Sequence, residues 1–95
     1  MNLELSEEFP SAIFVPGGEE HFHIYRGSPD EMVSSMAREM GAESIQTAVG
    51  NILVALALHR RILIKLPTDL DDHDLSRLFV YALLDTKVAR PVPLA

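Results

Sequence analysis

A long apolar stretch without acidic residues constrains how this chain can fold. Residues 44–66, SIQTAVGNILVALALHRRILIKL, contain no Asp or Glu, although the net charge of the whole chain is −6. Every residue from 52 to 58 is apolar, so a helix formed there is apolar on all sides. Such a helix must be covered on all sides, and a chain of 95 residues has few other elements to cover it. We therefore expect this stretch to lie at the centre of the fold and to keep surplus apolar surface.

The composition is that of one small globular domain. The apolar share is 47% and there is no repeat or internal linker, so we predict a single domain over residues 1–95, with residues 1–8 and 88–95 as extended or flexible tails. The apolar run is far shorter than the ~20 residues of a membrane-spanning helix. The N terminus has no feature of a secretory signal. The absence of cysteine fits a reducing compartment, and we expect a cytoplasmic protein without a membrane partner.

Three short segments have strand patterns. Residues 12–15 and 21–26 are rich in aromatic and β-branched residues, and Pro-Gly-Gly-Glu-Glu separates them. Because glycine tolerates positive φ, this predicts a β-hairpin with a four- or five-residue loop. Residues 61–66 alternate and are β-branched at Ile62 and Ile64, which predicts a strand ending at Pro67. The prolines at 91 and 93 make the tail extended; strand order, and whether the tail adds or exchanges a strand, stay open.

Local capping signals predict the first two helices. Ser28 is a good N-cap, Pro29 suits the first helical position, and Glu31 completes a capping box. Gly41 can end this helix as a left-handed residue. Ser44 then caps a second helix, which runs to about residue 59. The two helices form a hairpin with a very short connection.

The last helix completes an α+β fold. Thr68 or Asp71 opens it, and the acids of residues 69–74 complement its N-terminal dipole better than they match a calcium loop. The spacing predicts an inward face of Leu75, Leu78, Phe79, Ala82 and Leu83. The predicted fold is α+β: a short antiparallel sheet packed against helices, in the order β-β-α-α-β-α, with an extended C-terminal tail.

Two histidines on one strand are the sharpest candidate for a chemical site. On a strand at residues 21–26, His21, His23 and Tyr25 share one face, while Phe22 and Ile24 point inward. Two imidazoles can supply two ligands to zinc or iron. A third ligand would come from Glu19, His59 or His73, but no recognisable spacing places it. The pattern therefore favours a polar strand face, with His21 and His23 as weak metal candidates.

A second alternative is a helix-turn-helix. Residues 36–41 followed by a helix have the short glycine-containing turn that this motif needs. A recognition helix exposes polar or basic side chains to the DNA groove. Here the second helix offers only Gln46, Thr47 and Asn51 before it becomes uniformly apolar, and its arginines lie at the far end. An acidic chain also repels phosphate backbones, so we expect no nucleic-acid partner.

The leading functional hypothesis is a small acidic protein-binding module of the adaptor, chaperone or inhibitor type. No residue pattern indicates a catalytic residue or a cofactor, so we expect a non-enzymatic protein. The surplus apolar surface predicts a homodimer through the second helix and the last helix, with Val80, Tyr81 and Leu84 as interface candidates. The net charge makes a basic protein a further candidate partner. The alternatives remain a metal-binding protein or metal-dependent enzyme using His21 and His23, and a DNA-binding regulator.

Overall fold

The computed structural model describes residues 10–16 and 22–92, and in them the chain has the predicted α+β fold. A three-stranded antiparallel sheet of order β2-β1-β3 packs against three α-helices. The predicted N-terminal tail at residues 1–8 and the end of the C-terminal tail lie outside the described residues. The elements are β1 (Ala12–Pro16), β2 (Phe22–Arg26), α1 (Pro29–Glu39), α2 (Ile45–Ala55), a π-helical turn (Leu56–Arg60), α3 (Asp72–Asp85) and β3 (Arg90–Pro91).

The predicted hairpin is present. β1 pairs with β2 in an antiparallel register that aligns Ile13 with Tyr25 and Pro16 with Phe22. The connecting residues 17–21 lie outside the described residues. Ile13 is fully buried and Tyr25 nearly so, so this pair of side chains faces the helices and joins the core.

The strand predicted at residues 61–66 is absent, and that prediction was wrong. β3 lies in the tail instead, where it pairs with β1, and the guanidinium of Arg90 lies 5.5 Å from the centre of the Phe14 ring. β2 and β3 thereby occupy both edges of β1. Arg61 adopts a left-handed conformation at φ 57° after the π-helical turn. Ile62, Ile64 and Leu66 pack against the core without joining the sheet.

The capping signals behave as predicted. The Ser28 hydroxyl accepts a hydrogen bond from the Glu31 N–H, and the Glu31 carboxylate accepts one from the Ser28 N–H at 2.8 Å. Gly41 has a φ of +69° just beyond the end of α1. Ser44 caps α2, and Asp71, not Thr68, caps α3. Interactions between residues three or four apart thus fix where each helix begins.

The buried face of α3 is rotated from the prediction. Leu75, Phe79 and Leu83 are buried as expected, but Leu78 is 38% exposed and the helix buries further residues, namely Ser76 and Val80. The reason is that α3 contacts α1, α2 and β3, so more than one stripe is covered. Val88 and Ala89 are also buried, which ties this part of the predicted tail to the core.

Candidate functional site

β2 presents Tyr25 to the helices, which reverses the predicted orientation of the strand. Tyr25 is only 8% exposed, whereas Ile24, which was expected to point inward, is 41% exposed. His23 lies on the same face as Tyr25 and stacks on it, with ring centres 5.9 Å apart. Tyr25 can be buried because its hydroxyl reaches a partner on α1. Sequence spacing could not reveal this partner, since it lies 14 residues away.

Glu39 at the end of α1 binds that hydroxyl. Tyr25 Oη donates a hydrogen bond of 2.8 Å to Glu39 Oε1, and His23 Nδ1 lies 3.6 Å from the same oxygen. Burial, followed by the hydrogen bond and the charge of Glu39, raises the pKa of Tyr25 well above its usual value. The phenol therefore stays protonated at neutral pH. It acts as a hydrogen-bond donor that ties the sheet to α1, and not as a base.

These three side chains line one wall of a cavity of about 620 Å³ between the sheet, α1 and the end of α2. A cavity of this size falls within the range of small-ligand sites. Met36 and Met40 of the α1 side also line it, while Met32 on α1 is fully buried in the core. The α2 side contributes apolar residues and a polar end, namely Asn51, Ile52, Ala55, Leu56, His59 and Arg60.

The histidines singled out by sequence are not brought together where they are described. His21 lies outside the described residues, so the predicted pair is not described as a unit. His23 contacts Glu39, His59 lines the cavity, and His73 Nδ1 lies 2.8 Å from Asp30 Oδ2. Within residues 10–16 and 22–92, no group of three or more His, Cys, Asp or Glu side chains is placed to hold a metal ion.

The acidic run at residues 69–74 caps α3 and joins it to α1. The Asp71 side chain accepts a hydrogen bond from the Asp74 N–H at 2.9 Å, which satisfies a free donor of the first turn. His73 reaches across to Asp30 on α1. The hydrogen bond and the charge of Asp30 raise the pKa of His73, despite an opposing effect of desolvation. This pair is an exposed link between helices.

The three interface candidates on α3 differ in their exposure. Val80 is completely buried in the core, so no partner can reach it while this fold is intact. Leu84 is partly buried against the core, and Tyr81 is 41% exposed. The sequence alone does not show that Val80 belongs to the core, because a helix with apolar residues on two sides does not reveal which side faces its own core.

α2 and the π-helical turn are covered on one side only. Ala48, Val49 and Leu56 are buried. On the opposite side, Val54 is 57% exposed and Leu58 is 72% exposed. Three smaller exposed residues continue this side toward the start of the helix. We call the whole set the α2 stripe: Thr47, Gly50, Val54 and Leu58, with Asn51 at its margin beside the cavity.

Comparison with known proteins gives no independent guide to this surface: no protein-family model, curated protein or solved structure matches the chain. No helix in the described part of the chain is long and apolar enough to cross a membrane.

Proposed function

We propose that this protein is a non-enzymatic protein-binding module that forms a homodimer through the α2 stripe. One observation carries the proposal: Val54 and Leu58, on a helix face without charge, are more than half exposed. Large apolar side chains clustered on one surface mark interaction sites, whereas single ones scattered over a surface are ordinary. A helical spacing of four residues places these two on the same face.

Small residues on the stripe favour close packing of two copies of α2. A Cβ added at Gly50 would meet no atom within 4 Å, so the space above this residue is open. In an antiparallel pair of α2 helices related by a two-fold axis, Val54 of each copy can lie over Gly50 of the other. Close approach at small residues lets larger neighbours interdigitate, as in other helix pairs.

Charge also supports the antiparallel arrangement. The stripe carries no charged residue, so two copies bring no like charges together at its centre. At its margins, Arg60 and Arg61 follow the C-terminal end of the stripe, and Glu43 precedes its N-terminal end; all three are exposed. An antiparallel pair sets the arginines of one copy beside Glu43 of the other.

The expected affinity is modest. Complete burial of a Val or Leu side chain contributes about 1.5–3 kcal/mol, and the two residues of each copy are already partly covered. Association itself costs several kcal/mol. The dimer should therefore dissociate on dilution, and the average mass of the protein in solution should depend on its concentration.

Light scattering coupled to size exclusion tests this function. The wild-type protein should show a mass that rises toward that of a dimer as concentration increases, whereas Leu58→Glu should remain monomeric. The matched control is Leu78→Glu on α3, because Leu78 is also an exposed leucine. A dimer lost in the control but kept in Leu58→Glu would move the interface to α3. A wild-type monomer throughout the concentration range would exclude self-association.

A further inference from the structure

The segment that follows the π-helical turn has the pattern of a strand but pairs with no strand among the described residues. We call residues 62–66 the unpaired segment. Ile62, Ile64 and Leu66 pack against the core, while Leu63 is 79% exposed and Lys65 is exposed. This alternation has the period of two that characterises a β-strand. The inward residues anchor the segment, and the outward residues are available to a partner.

The backbone of the unpaired segment is free to accept a strand. Within the described residues its one hydrogen bond lies at its start, where the Ile62 N–H donates to the Leu56 carbonyl at 3.1 Å. The N–H and C=O groups of Leu63, Ile64, Lys65 and Leu66 make none there. Unpaired backbone groups in a strand-like segment form an edge that an extended peptide can extend by hydrogen bonding.

The charges around the segment indicate which peptide fits. Arg60, Arg61 and Lys65 are exposed and form no ion pair within the described residues, and no acid occurs between Glu43 and Asp69. Charges farther away than about 8 Å are largely screened at physiological salt. A ligand at this edge therefore has three exposed cations within the segment and its N-terminal flank to bind, although the chain as a whole is acidic.

A second copy of the segment fits this edge less well than an acidic strand. In the antiparallel register that places Ile64 opposite Ile64, Lys65 of one copy lies diagonal to Lys65 of the other. Diagonal positions on neighbouring strands lie about 7–8 Å apart, within the distance over which like charges still repel at physiological salt. Acidic side chains at alternate positions of a ligand strand would instead share the outward face with Lys65, and the apolar side chains between them would share the inward face with Ile64.

We propose that the unpaired segment binds an extended acidic segment of another protein by strand addition. Backbone hydrogen bonds to residues 63–66 would hold the ligand, its apolar side chains would lie on the inward face beside Ile64, and the three cations would bind its carboxylates. This proposal rests on the protein-binding function and names the partner's chemistry. It does not depend on the dimer formed through α2.

Fluorescence anisotropy with a labelled peptide, acetyl-Glu-Val-Glu-Val-Glu-amide, tests the proposal. The full-length protein should bind this peptide at least about tenfold more tightly than the Lys-Val-Lys-Val-Lys counterpart, because several exposed ion pairs each contribute up to about 1 kcal/mol. An acidic peptide N-methylated at alternate amides keeps its charge but loses backbone donors. It should bind markedly more weakly, and equal binding of the methylated and unmethylated peptides would overturn the proposal.

A proline substitution tests the same contact from the side of the protein. Leu63→Pro should keep the fold, because the Leu63 N–H that it removes is unpaired within the described residues and because proline favours an extended conformation of the preceding residue. Circular dichroism would verify that the fold is kept. Leu63→Pro should bind the acidic peptide about fivefold or more weakly than Leu63→Ala does, because one net hydrogen bond is worth about 1 kcal/mol. Leu63→Ala is the control, since it loses only the side chain. Equal affinities for the two variants would contradict strand addition.

One further variant separates this proposal from the dimer. Leu58→Gln should weaken dimerisation while retaining peptide binding within about threefold, since it places no charge beside Arg60 and Arg61. Dimerisation without peptide binding would overturn strand addition and leave the dimer standing. Peptide binding by a protein that never dimerises would support strand addition and remove the α2 interface.

Discussion

Removal of the Ser76 hydroxyl should stabilise the protein, which is an unusual expectation for a fully buried position. Ser76 lies in α3 with no exposed surface, and its Oγ atom has no hydrogen-bond partner in the part of the chain that the structure describes. A buried hydroxyl without a partner costs about 1–3 kcal/mol of desolvation. Alanine is also the better helix former, by about 0.5 kcal/mol. Loss of one oxygen atom leaves little cavity, so we expect Ser76→Ala to raise the free energy of unfolding by about 1–2 kcal/mol.

Urea and thermal unfolding, followed by circular dichroism at one fixed protein concentration, measure this change. For a domain of this size, each kcal/mol raises the melting temperature by about 4–8 °C. Ser34→Ala is the control, because Ser34 lies within α1 and is only partly buried; it should show the helix-propensity gain alone. Destabilisation by Ser76→Ala, or a gain no larger than that of Ser34→Ala, would refute the argument from desolvation.

Two further predictions concern Tyr25 and Gly27. Tyr25→Phe should lower the free energy of unfolding by about 1 kcal/mol, since it removes a hydrogen bond to a half-exposed carboxylate. The pKa of Tyr25 is higher in the folded protein than in the unfolded chain, so the protonated phenol contributes its full stabilisation below the unfolded pKa of about 10, and this contribution is lost as the pH rises above that value. In urea titrations over that alkaline range, the free energy of unfolding should therefore decline less for Tyr25→Phe than for the wild type. Gly27→Ala should cost about 2 kcal/mol or more in the same assay, because Gly27 has a φ of +104° and an added Cβ would displace the Glu31 carboxylate from the capping box. The control Gly50→Ala, at an open helical site, should not destabilise the monomer, and an equal loss in both variants would contradict this account.

Features that depend on neighbouring residues were predictable from the sequence. The capping box of Ser28 and Glu31, the glycine at 41, and the caps at Ser44 and Asp71 act over three or four residues, and each occurs where the pattern indicates. The surplus of apolar surface on α2 was also predictable, because a helix apolar on all sides in a short chain lacks enough neighbours to cover it. Val54 and Leu58 show this surplus directly.

Features that depend on distant contacts were not predictable. Both faces of β2 carry large side chains, with His23 and Tyr25 on one and Ile24 on the other, so the sequence pattern does not show which face is buried. The hydrogen bond between Tyr25 and Glu39, which lies on a distant helix, favours burial of the Tyr25 face. Residues 61–66 have strand propensity, but a strand also needs a partner, and the tail at Arg90 takes the place beside β1. Propensity is local, whereas strand pairing is decided by the whole fold.

The mass of the protein in solution tests the central claim most directly. Sedimentation equilibrium over a range of concentrations should show a reversible monomer–dimer equilibrium for the wild type and for Leu78→Glu, and a monomer for Leu58→Glu. A charge introduced at residue 58 would be buried without a partner in the interface, at a cost of several kcal/mol, on the order of the whole association energy of a modest dimer. An unchanged equilibrium in Leu58→Glu, or a wild type that stays monomeric at every concentration, would contradict the assignment of α2 as the dimer interface.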